Sequence, residues 1–388
     1  MAKILHIGKY YPPFAGGIEH FLADLLPLQQ KNHTVMALVH DHHANLSRFF
    51  TSVAMDKNYP AIFRCPSYGR LLYAPISPQF PFWWRKIIQD FQPDLLHLHL
   101  PNTSAFWGLF FPTIRQIPTV IHWHSDVTSV HDDRLMLAYR LYRPFEQALL
   151  KQAKAIIATS TPYLQSSLAL KQWQDKTQVI PLGIALDRLP KPTNHILQWA
   201  TSNWDNHYPF RLLTVGRLSY YKGHDVLIRA LAEIPQAQLN IVGEGEQRQT
   251  LTDLIQHLNL QNRVKLLGFI DEQQLAGLFS TCDVFCLPSL ERTEAFGMVL
   301  LEAMRYQCAI VASAIPGAGV NWIIDHPHTG LLVPPNDVVA LVQQLRMLWH
   351  NPNQKRSLAL HAQQRFAQHL TIEAVALAID RLYARVLS

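Results

Sequence analysis

The sequence predicts an α/β protein built from two facing doubly wound, Rossmann-like domains. The first reason is length, because 388 residues exceed what one ordinary hydrophobic core organises. The second is the alternation of short apolar strands with amphipathic helices in both halves, which is typical of parallel sheets covered on both faces. The third is a lapse of this alternation over residues 188–209, a stretch that contains three prolines.

The N-terminal domain is predicted over residues 1–188. It begins with a strand at Lys3–Gly8, a Pro- and Gly-rich loop at Lys9–Gly17 and an amphipathic helix at Ile18–Gln30. Further strands are predicted at Thr34–His40, Leu95–Leu100, Thr119–His124, Ala155–Thr159 and Thr177–Pro181, with a helix over Asp133–Ala153. Residues 189–209 are predicted to be a linker that contains a short helix.

The C-terminal domain is predicted over residues 210–370. Its strands are predicted at Arg211–Gly216, Gln238–Gly243, Val264–Leu267, Val284–Leu287 and Ala309–Ser313, and its helices at Asp225–Leu231, Glu246–Leu258, Glu272–Ser280 and Gly297–Met304. A last helix in residues 371–388 is expected to pack back on the N-terminal domain. Because doubly wound sheets bind ligands outside the carboxyl ends of their strands, we expect the site in the loops that follow these strands, in a cleft between the domains.

Composition predicts a soluble, cytoplasmic protein. Met1-Ala-Lys leads directly into the predicted strand rather than into a signal peptide, and no apolar run approaches the roughly 20 residues of a membrane span. The four cysteines show no paired framework, so we expect reduced thiols.

Positive charge is concentrated in the N-terminal half. Residues 1–200 contain 19 Lys+Arg against 12 Asp+Glu, a net charge of +7, whereas residues 201–388 have a net charge of −1. This distribution favours an anionic partner such as phosphate or anionic lipid, and the alternative is a solvated basic face without a partner. Nucleic acid is disfavoured because the chain contains no recognised nucleic-acid-binding motif.

The segment Ser77–Phe91 mixes aromatic and basic residues. Phe80, Phe82, Trp83 and Trp84 precede Arg85 and Lys86, a composition that suits a membrane interface. The alternative is a helix whose aromatic side chains lie in the core. The segment Phe80–Lys86 leaves both interpretations open. Together with the basic N-terminal half, it favours peripheral contact of the N-terminal domain with the inner face of an anionic membrane.

The stretch "VIHWHSDV" contains His122, His124 and Asp126, a spacing that a metal-dependent hydrolase could use. His97 and His99 repeat the His-x-His pattern on another predicted strand. Metallohydrolases with this motif continue with another histidine, but here Val127 follows, and the predicted fold differs from theirs. We therefore expect no metal, a backbone partner for a buried His122, and a His124 that points into the cleft.

Three loops have the composition of an anion or nucleotide site. In "YYPPFAGGIE", Gly16 and Gly17 precede a helix whose N-terminal amides could bind a phosphate, although a tight helix entry without a ligand has the same composition. Neither a dinucleotide fingerprint nor a Walker motif is present. In "VGRLSYYKG", Arg217 and Lys222 could clamp a diphosphate, and the alternative is a pair of surface cations. In "EAFGMVLLEAM", Glu294 and Glu302 could accept hydrogen bonds from sugar and ribose hydroxyls, and the amides of residues 296–299 could bind an anion. The alternative is that both glutamates are surface charges that interact with the helix dipole.

The motifs "YYPPFAGGIEHF", "VIPLGI", "VGRLSYYKG", "IVGEGEQR", "LLGFI" and "PSLERTEAFGMVLLEAM" occur in the order found in the retaining GT-B glycosyltransferases of family 4. The chain resembles this family from about residue 4 to about residue 335. The Glu-x7-Glu arrangement with Arg-x4-Lys upstream of it is the most specific part. One departure is "IPGAGVNWII", where Asn321 stands near the position of a glutamate that many members carry.

The resemblance implies a GT-B architecture and a role for each matching residue. Catalytic roles are implied for His124, which would line the donor sugar, for Arg217 and Lys222, which would neutralise the diphosphate, and for Glu294, which would contact the sugar. Donor binding is implied for Gly16, Gly17, Gly243, Phe269, Ile270, Phe296, Gly297, Met298, Val299 and Glu302. We expect acceptor contacts at Tyr10, Tyr11, His99 and Asp126.

The function expected from this resemblance is a retaining, metal-independent, hexosyltransferase-type glycosyltransferase. Its donor would be a UDP- or GDP-linked sugar, and its acceptor a glycan or a polyprenyl-linked glycan in surface polysaccharide biosynthesis. No cofactor is expected. The alternatives are a metal-dependent hydrolase that uses His122, His124 and Asp126, and a non-catalytic nucleotide-sugar-binding protein.

Overall fold

The computed structural model describes residues 1–14, 16–41, 60–71, 74–127 and 133–388. The chain forms two compact units, the first from residues 1–182 together with 372–388 and the second from residues 183–371. Each unit contains one parallel sheet. The predicted α/β class with two doubly wound domains is confirmed.

The first unit contains a seven-stranded parallel sheet in the order β3-β2-β1-β6-β7-β8-β9. Its strands are β1 (Lys3–Ile7), β2 (Thr34–His40), β3 (Ala61–Cys65), β6 (Leu95–Leu100), β7 (Thr119–Trp123), β8 (Ala155–Ala158) and β9 (Thr177–Val179), and a small antiparallel pair comprises β4 (Arg70–Leu71) and β5 (Ala74–Pro75). Strand order reverses at β1, whose neighbours are β2 and β6. The carboxyl ends of β1 and β6 therefore form the crevice where a doubly wound sheet binds ligands.

The helices of the first unit are α1 (Gly17–Gln29), α2 (Phe80–Phe91), α3 (Pro112–Arg115), α4 (Asp133–Gln152), α5 (Thr161–Ser166) and α14 (Ile372–Leu387), with 3-10 helices at Thr103–Leu109 and Gln174–Lys176. The C-terminal helix α14 packs against α1, where Gln29 Nε2 donates a hydrogen bond to the Tyr383 hydroxyl at 3.1 Å. The end of the chain thus belongs to the unit formed by its beginning.

The second unit contains a six-stranded parallel sheet in the order β12-β11-β10-β13-β14-β15. Its strands are β10 (Phe210–Val215), β11 (Ala237–Val242), β12 (Val264–Gly268), β13 (Val284–Leu287), β14 (Ala309–Ser313) and β15 (Leu331–Val333). Its helices are α6 (Asn194–Ser202), α7 (His224–Ala232), α8 (Arg248–His257), α9 (Glu272–Thr281), α10 (Met298–Arg305), α11 (Val320–Ile323), α12 (Val338–His350) and α13 (Pro352–His369), with 3-10 helices at Leu186–Arg188 and Tyr220–Lys222. Strand order reverses at β10, between β11 and β13.

The predicted linker over residues 189–209 lies within the second unit. The Thr193 side chain accepts a hydrogen bond from the Ile196 amide and so caps α6. Helix α6 packs on α9 at Gly277, where an added Cβ would lie 2.8 Å from the Ile196 side chain. This packing makes the segment part of the second core.

The predicted membrane segment Phe80–Lys86 forms the start of α2, and its aromatic side chains are mostly in the core. Phe80, Trp83 and Trp84 are buried, whereas Phe82 is exposed. Of the two interpretations of this segment, packing in the core is therefore the correct one for the three buried residues. Their spacing is that of the buried stripe of an amphipathic helix. Among the described residues, no helix combines the length and apolarity needed to cross a membrane.

Candidate functional site

The loops that follow β1 and β6 are joined at the crevice of the first unit. Asn102, just after β6, donates a hydrogen bond from Nδ2 to the Gly8 carbonyl oxygen, just after β1, at 3.0 Å. Asn102 is buried, and its Oδ1 also accepts a hydrogen bond from the Ser104 amide at 3.1 Å. Sequence reasoning did not identify Asn102, although its position directly after a strand was a usable signal.

Five buried histidines line one face of the first sheet beside this crevice, and we call them the histidine ladder: His6 on β1, His97 and His99 on β6, His122 on β7 and His124 directly after it. They share a face because alternate residues of a strand point the same way. The rings of His122 and His124 stack with centroids 4.2 Å apart and planes 7° apart, and those of His97 and His99 with centroids 4.5 Å apart. The ladder therefore occupies a sheet face that other proteins fill with aliphatic side chains.

Hydrogen bonds connect three members of the ladder in series. His6 Nδ1 lies 3.0 Å from His99 Nε2, and His99 Nδ1 lies 2.9 Å from His124 Nε2. A neutral imidazole has one donor and one acceptor nitrogen, so the two hydrogen bonds must run in the same direction through His99. The tautomer of His124 is thereby linked to those of His99 and His6. Both ring nitrogens of His99 are engaged with histidines, which leaves neither of them for the acceptor contact expected of this residue.

Burial holds the ladder in its neutral form. It lowers the pKa of His6, His97, His122 and His124 well below the usual 6.5, with repulsion between neighbouring histidines as a further cause, and it lowers the pKa of His99 to about 3. His124 is 3% exposed. Its Nδ1 has no hydrogen-bond partner in the described part of the chain, so that atom is the one through which His124 could contact a ligand.

His122 and His97 have different surroundings. We predicted a backbone partner for His122, and this was wrong, because neither of its ring nitrogens has a hydrogen-bond partner among the described residues. The ring of Phe21, on α1, meets the His122 ring edge-on with centroids 5.1 Å apart. His97 Nδ1 is hydrogen-bonded to the hydroxyl of Tyr383, on α14. The helices that cover the ladder thus provide one aromatic contact and one polar contact.

Two groups within the ladder have ring nitrogens close enough to hold a metal ion: His6 with His97 and His99, and His99 with His122 and His124, each within 4.8 Å. His99 belongs to both groups, and its two ring nitrogens are hydrogen-bonded to His6 and His124, which leaves neither of them for a metal ion. Asp126, the third ligand of the hydrolase alternative, lies elsewhere. Its carboxylate accepts hydrogen bonds from Trp123 Nε1 at 2.9 Å and from the Ser167 hydroxyl at 2.6 Å. The site expected of a hydrolase, made of His122, His124 and Asp126, is therefore not assembled.

The Gly-Gly loop precedes α1 as predicted, with Gly16 at the N-cap and Gly17 as the first helical residue. The side chain of Glu19 folds back over this N-terminus, so that a Cβ added to Gly16 would lie 2.1 Å from Glu19 Oε2. Burial raises the pKa of Glu19. A carboxylate of the chain itself, that of Glu19, therefore occupies the position predicted for a phosphate. Sequence reasoning did not identify Glu19.

The two tyrosines of the same loop pack against arginines. Tyr10 is 2% exposed, stacks on Phe14 with centroids 4.3 Å apart, and lies under the Arg70 guanidinium at 5.3 Å. Tyr11 lies under the guanidinium of Arg64 at 5.5 Å. The Tyr10 side chain is therefore part of the core in this structure rather than an open acceptor surface.

At the crevice of the second unit, the loops after β10 and β13 bring a lysine and a glutamate together. Lys222 Nζ lies 2.6 Å from Glu294 Oε2, and the Ser289 hydroxyl donates to the same oxygen at 3.0 Å. The two charged side chains are only 12% and 10% exposed. Burial lowers the pKa of Lys222, but attraction to Glu294, with smaller contributions from Tyr221 and Glu302, outweighs it and leaves that pKa above its ordinary value. Lys222 therefore provides a fixed, buried positive charge at the carboxyl ends of the strands.

Gly223 allows these two loops to pack closely against each other. Its backbone is left-handed, with φ of 64°, and an added Cβ would lie 2.1 Å from the Pro288 carbonyl oxygen. The Leu290 amide also donates to the Tyr221 carbonyl oxygen at 2.8 Å. Any larger residue at position 223 would push the Lys222 loop away from the loop that carries Glu294.

Arg217 is not part of this buried pair. Its guanidinium is exposed and lies 3.0 Å from the Glu246 carboxylate, measured from Nη2 to Oε2. Gly243 packs under the same loop, with φ of 135°, and an added Cβ would lie 2.0 Å from the Gly216 carbonyl oxygen. Close packing alone thus requires a glycine at position 243.

The remaining residues predicted to bind the donor lie around α9 and α10. Gly297 is the left-handed N-cap of α10, with φ of 90°, and is followed by half-buried Met298 and Val299, while Phe296 is buried. Glu302, on α10, lies 4.0 Å from Arg188, a residue that sequence reasoning missed. Phe269 is 82% exposed, and Ile270 beside it is half-buried.

Asn321, the residue at the departure from the family pattern, is engaged with the backbone. Its Nδ2 donates to the Ile315 carbonyl oxygen at 3.0 Å. It therefore connects α11 to the loop that precedes this helix.

Comparisons with known proteins decide the family. Residues 202–365 match the family model for Glycosyl transferases group 1, and residues 15–188 match the model for Glycosyltransferase Family 4. D-rhamnosyltransferase WbpZ of Pseudomonas aeruginosa is 33% identical over 282 residues, which cover 72% of this chain and 70% of that protein. The chain belongs to the group 1 glycosyltransferases.

Other relatives align with this glycosyltransferase along nearly its whole length. O-antigen chain mannosyltransferase C of Escherichia coli is 28% identical over 99% of both chains. Sucrose-phosphate synthase from Thermosynechococcus elongatus has a similar structure, with a TM-score of 0.80, 25% identity and coverage of 100% of this chain and 99% of that one. WaaG, a glycosyltransferase involved in lipopolysaccharide biosynthesis, shares the fold with a TM-score of 0.71 at 18% identity, over 97% of this chain and 99% of that one. The predicted GT-B architecture is confirmed, and the hydrolase alternative is not favoured.

Proposed function

We propose that this glycosyltransferase moves a hexose from a UDP- or GDP-linked sugar to a glycan carried on a polyprenyl lipid, during surface polysaccharide biosynthesis. The transfer retains the anomeric configuration and needs no metal. The observation that carries the proposal is the buried Lys222–Glu294 pair at the strand ends of the second unit. Two relatives, an O-antigen chain mannosyltransferase and a D-rhamnosyltransferase, support a hexose donor and a polysaccharide product.

Lys222 is suited to neutralising a diphosphate. Its ammonium group has three donors, of which Glu294 takes one. The raised pKa keeps the group charged at neutral pH. A cation that the protein has already desolvated and oriented stabilises charge on a leaving group without reorganising during the reaction. This charge replaces the one that a metal ion would otherwise supply.

Arg217 is suited to a second, movable contact. Exposed ion pairs such as Arg217–Glu246 contribute only about 0–1 kcal/mol, so exchanging Glu246 for a diphosphate costs little. The planar guanidinium can then donate two parallel hydrogen bonds to phosphate oxygens.

The proposed reaction takes place on one face of the sugar. The bond between the anomeric carbon and the diphosphate oxygen breaks, and the acceptor hydroxyl oxygen bonds to that carbon from the same side. The acceptor proton passes to an oxygen of the departing diphosphate. Glu294 is held by Lys222 and Ser289, which suits it to positioning sugar hydroxyls rather than to forming a covalent intermediate.

His124 and Glu302 have supporting roles in this proposal. Neutral His124 offers Nδ1 to a sugar hydroxyl, and the series of hydrogen bonds through His99 couples its tautomer to those of His99 and His6. Glu302 accepts hydrogen bonds from the ribose hydroxyls, with Arg188 balancing its charge.

The test is transfer to a synthetic polyprenyl-diphosphate saccharide in excess EDTA, with a panel of UDP- and GDP-linked hexoses. Mass spectrometry detects the product, and NMR coupling constants give the configuration of the new bond. We expect one donor class to react without metal and with retention, and Glu294→Gln to abolish the reaction. An inverted product, a trapped sugar–protein adduct, or activity that disappears in EDTA and returns with a divalent metal would contradict the proposal.

A further inference from the structure

Helix α4 turns an apolar stripe toward solvent. Leu137, Leu141 and Phe145 follow one another at every fourth position and are 64%, 76% and 41% exposed. At about 100° per residue, Leu141 lies roughly 180° round the helix from buried Leu150. The stripe is therefore on the side of α4 opposite the core, where a helix of a soluble domain normally presents polar residues.

Aromatic side chains from the 3-10 helix Thr103–Leu109 and the residue after it extend this stripe. Phe110 is 58% exposed and its ring centroid lies 6.1 Å from that of Phe145. Trp107 is 40% exposed and lies 5.9 Å from Phe110. Met136 adds a further exposed apolar side chain at the start of the stripe. We call the surface formed by Trp107, Phe110, Met136, Leu137, Leu141 and Phe145 the α4 surface.

Between residues 136 and 145, which contain the helical part of the α4 surface, both charged residues are cations. Arg140 and Arg143 are exposed and lie next to the leucine stripe on the helix. From residue 136 to residue 152, the single acidic residue is Glu146, whose side chain is buried on the core side. Contiguous exposed apolar side chains bordered by arginine are typical of a surface that enters the headgroup region of an anionic membrane.

We propose that the α4 surface binds an anionic phospholipid bilayer. The leucine and phenylalanine side chains enter the acyl boundary, tryptophan lies at the headgroup level, and Arg140 and Arg143 contact lipid phosphates. Charge argues against a second copy of this chain as the occupant, because an isologous contact would bring these arginines toward their own equivalents. This inference deepens the proposed use of a lipid-linked acceptor, and it relocates membrane contact from the largely buried start of α2 to α4.

The test is flotation of the full chain with phosphatidylglycerol-containing vesicles and with pure phosphatidylcholine vesicles. We expect binding to the anionic vesicles and at least about tenfold less to the neutral ones. Leu137→Asp/Leu141→Asp should reduce the affinity for anionic vesicles at least about tenfold, and Arg140→Gln/Arg143→Gln should reduce it several-fold and remove its salt dependence. Leu377→Asp, a matched change at a 53% exposed leucine of α14, should leave binding unchanged.

Circular dichroism confirms that each variant is folded, and transfer to a short water-soluble acceptor is measured in parallel. Normal transfer with lost flotation supports the membrane role of the α4 surface, whereas flotation without any transfer would overturn the proposed function and leave this inference standing. Equal binding of all variants, or no binding to anionic vesicles, would overturn the inference. Concentration-dependent dimers that Leu137→Asp/Leu141→Asp abolishes, without lipid binding, would overturn it in favour of a second copy.

Discussion

Acid should destabilise the first unit unusually steeply, because the histidine ladder is neutral in the folded state. In the unfolded chain each of these histidines titrates near its usual pKa of about 6.5. In the folded chain burial lowers the pKa of all five, so below pH 6.5 the unfolded state binds more protons than the folded state. Stability is then constant well above pH 6.5 and falls as the pH decreases below it.

The expected magnitude follows from the number of rings. Between pH 7.5 and pH 5.5, a histidine that stays neutral when folded shifts the folding equilibrium roughly tenfold toward the unfolded state. Five such histidines shift it by about 10⁵, which corresponds to about 7 kcal/mol. Domains are typically stable by about 5–15 kcal/mol, so the first unit should be close to unfolding near pH 5.5.

The assay is urea unfolding across this pH range, combined with hydrogen exchange of the β1, β6 and β7 amides to report on the first unit alone. His122→Phe is the matched variant, because it keeps an aromatic ring of similar shape and removes two buried nitrogens that have no partner among the described residues. We expect His122→Phe to be at least as stable as the wild type at pH 7.5. Its folding equilibrium constant should fall about tenfold less than that of the wild type between pH 7.5 and pH 5.5. A stability that is flat over this range, or an unchanged slope in His122→Phe, would refute the reasoning.

Three further changes test the second unit. Lys222→Met leaves the Glu294 carboxylate buried without its cation, so we expect thermal melts to report a loss of about 3–5 kcal/mol in stability and steady-state assays to report a turnover reduced by about 10²–10³-fold. The double variant Lys222→Met/Glu294→Gln should regain most of the stability and none of the turnover. A Lys222→Met protein as stable as the wild type would contradict this reasoning. Arg217→Ala removes only the exposed contact with Glu246, so its melt should change by no more than about 0.5 kcal/mol while kcat/KM for the donor falls, and an unchanged kcat/KM would argue against its diphosphate role. Gly223→Ala should destabilise the second unit in urea by about 1–3 kcal/mol, because the added Cβ has no room beside a backbone carbonyl oxygen of the neighbouring loop, and wild-type stability would show that the two loops can separate freely.

Strand alternation predicted much of the fold, since apolar strands separated by helices leave few topologies other than a parallel sheet. The same reasoning placed Lys222 and Glu294 at strand ends, where the structure brings them together. It could not show that Lys222 pairs with Glu294 while Arg217 turns to Glu246. Long charged side chains reach several partners from one backbone position, so the choice depends on the packed loops.

Burial was the property that sequence periodicity predicted least well. The aromatic residues at the start of α2 and the apolar stripe of α4 both recur at helical spacing, yet the first lies in the core and the second in solvent. Spacing shows which side chains share a helix face and does not show which way that face points. The histidine ladder could not be predicted for a related reason. The His-x-His patterns of residues 97–99 and 122–124 are visible in the sequence, but the adjacency of β1, β6 and β7 depends on the sheet topology.

The most direct test of the proposed donor site is calorimetric titration with UDP and with GDP in excess EDTA, on the wild type and on Glu302→Ala. We predict that one of the two nucleotides binds the wild type without metal and that Glu302→Ala weakens this binding at least about tenfold, since the proposed acceptor for the ribose hydroxyls is lost. Thermal melting of both proteins controls for folding. Failure of both nucleotides to bind until a divalent metal is added would contradict the account.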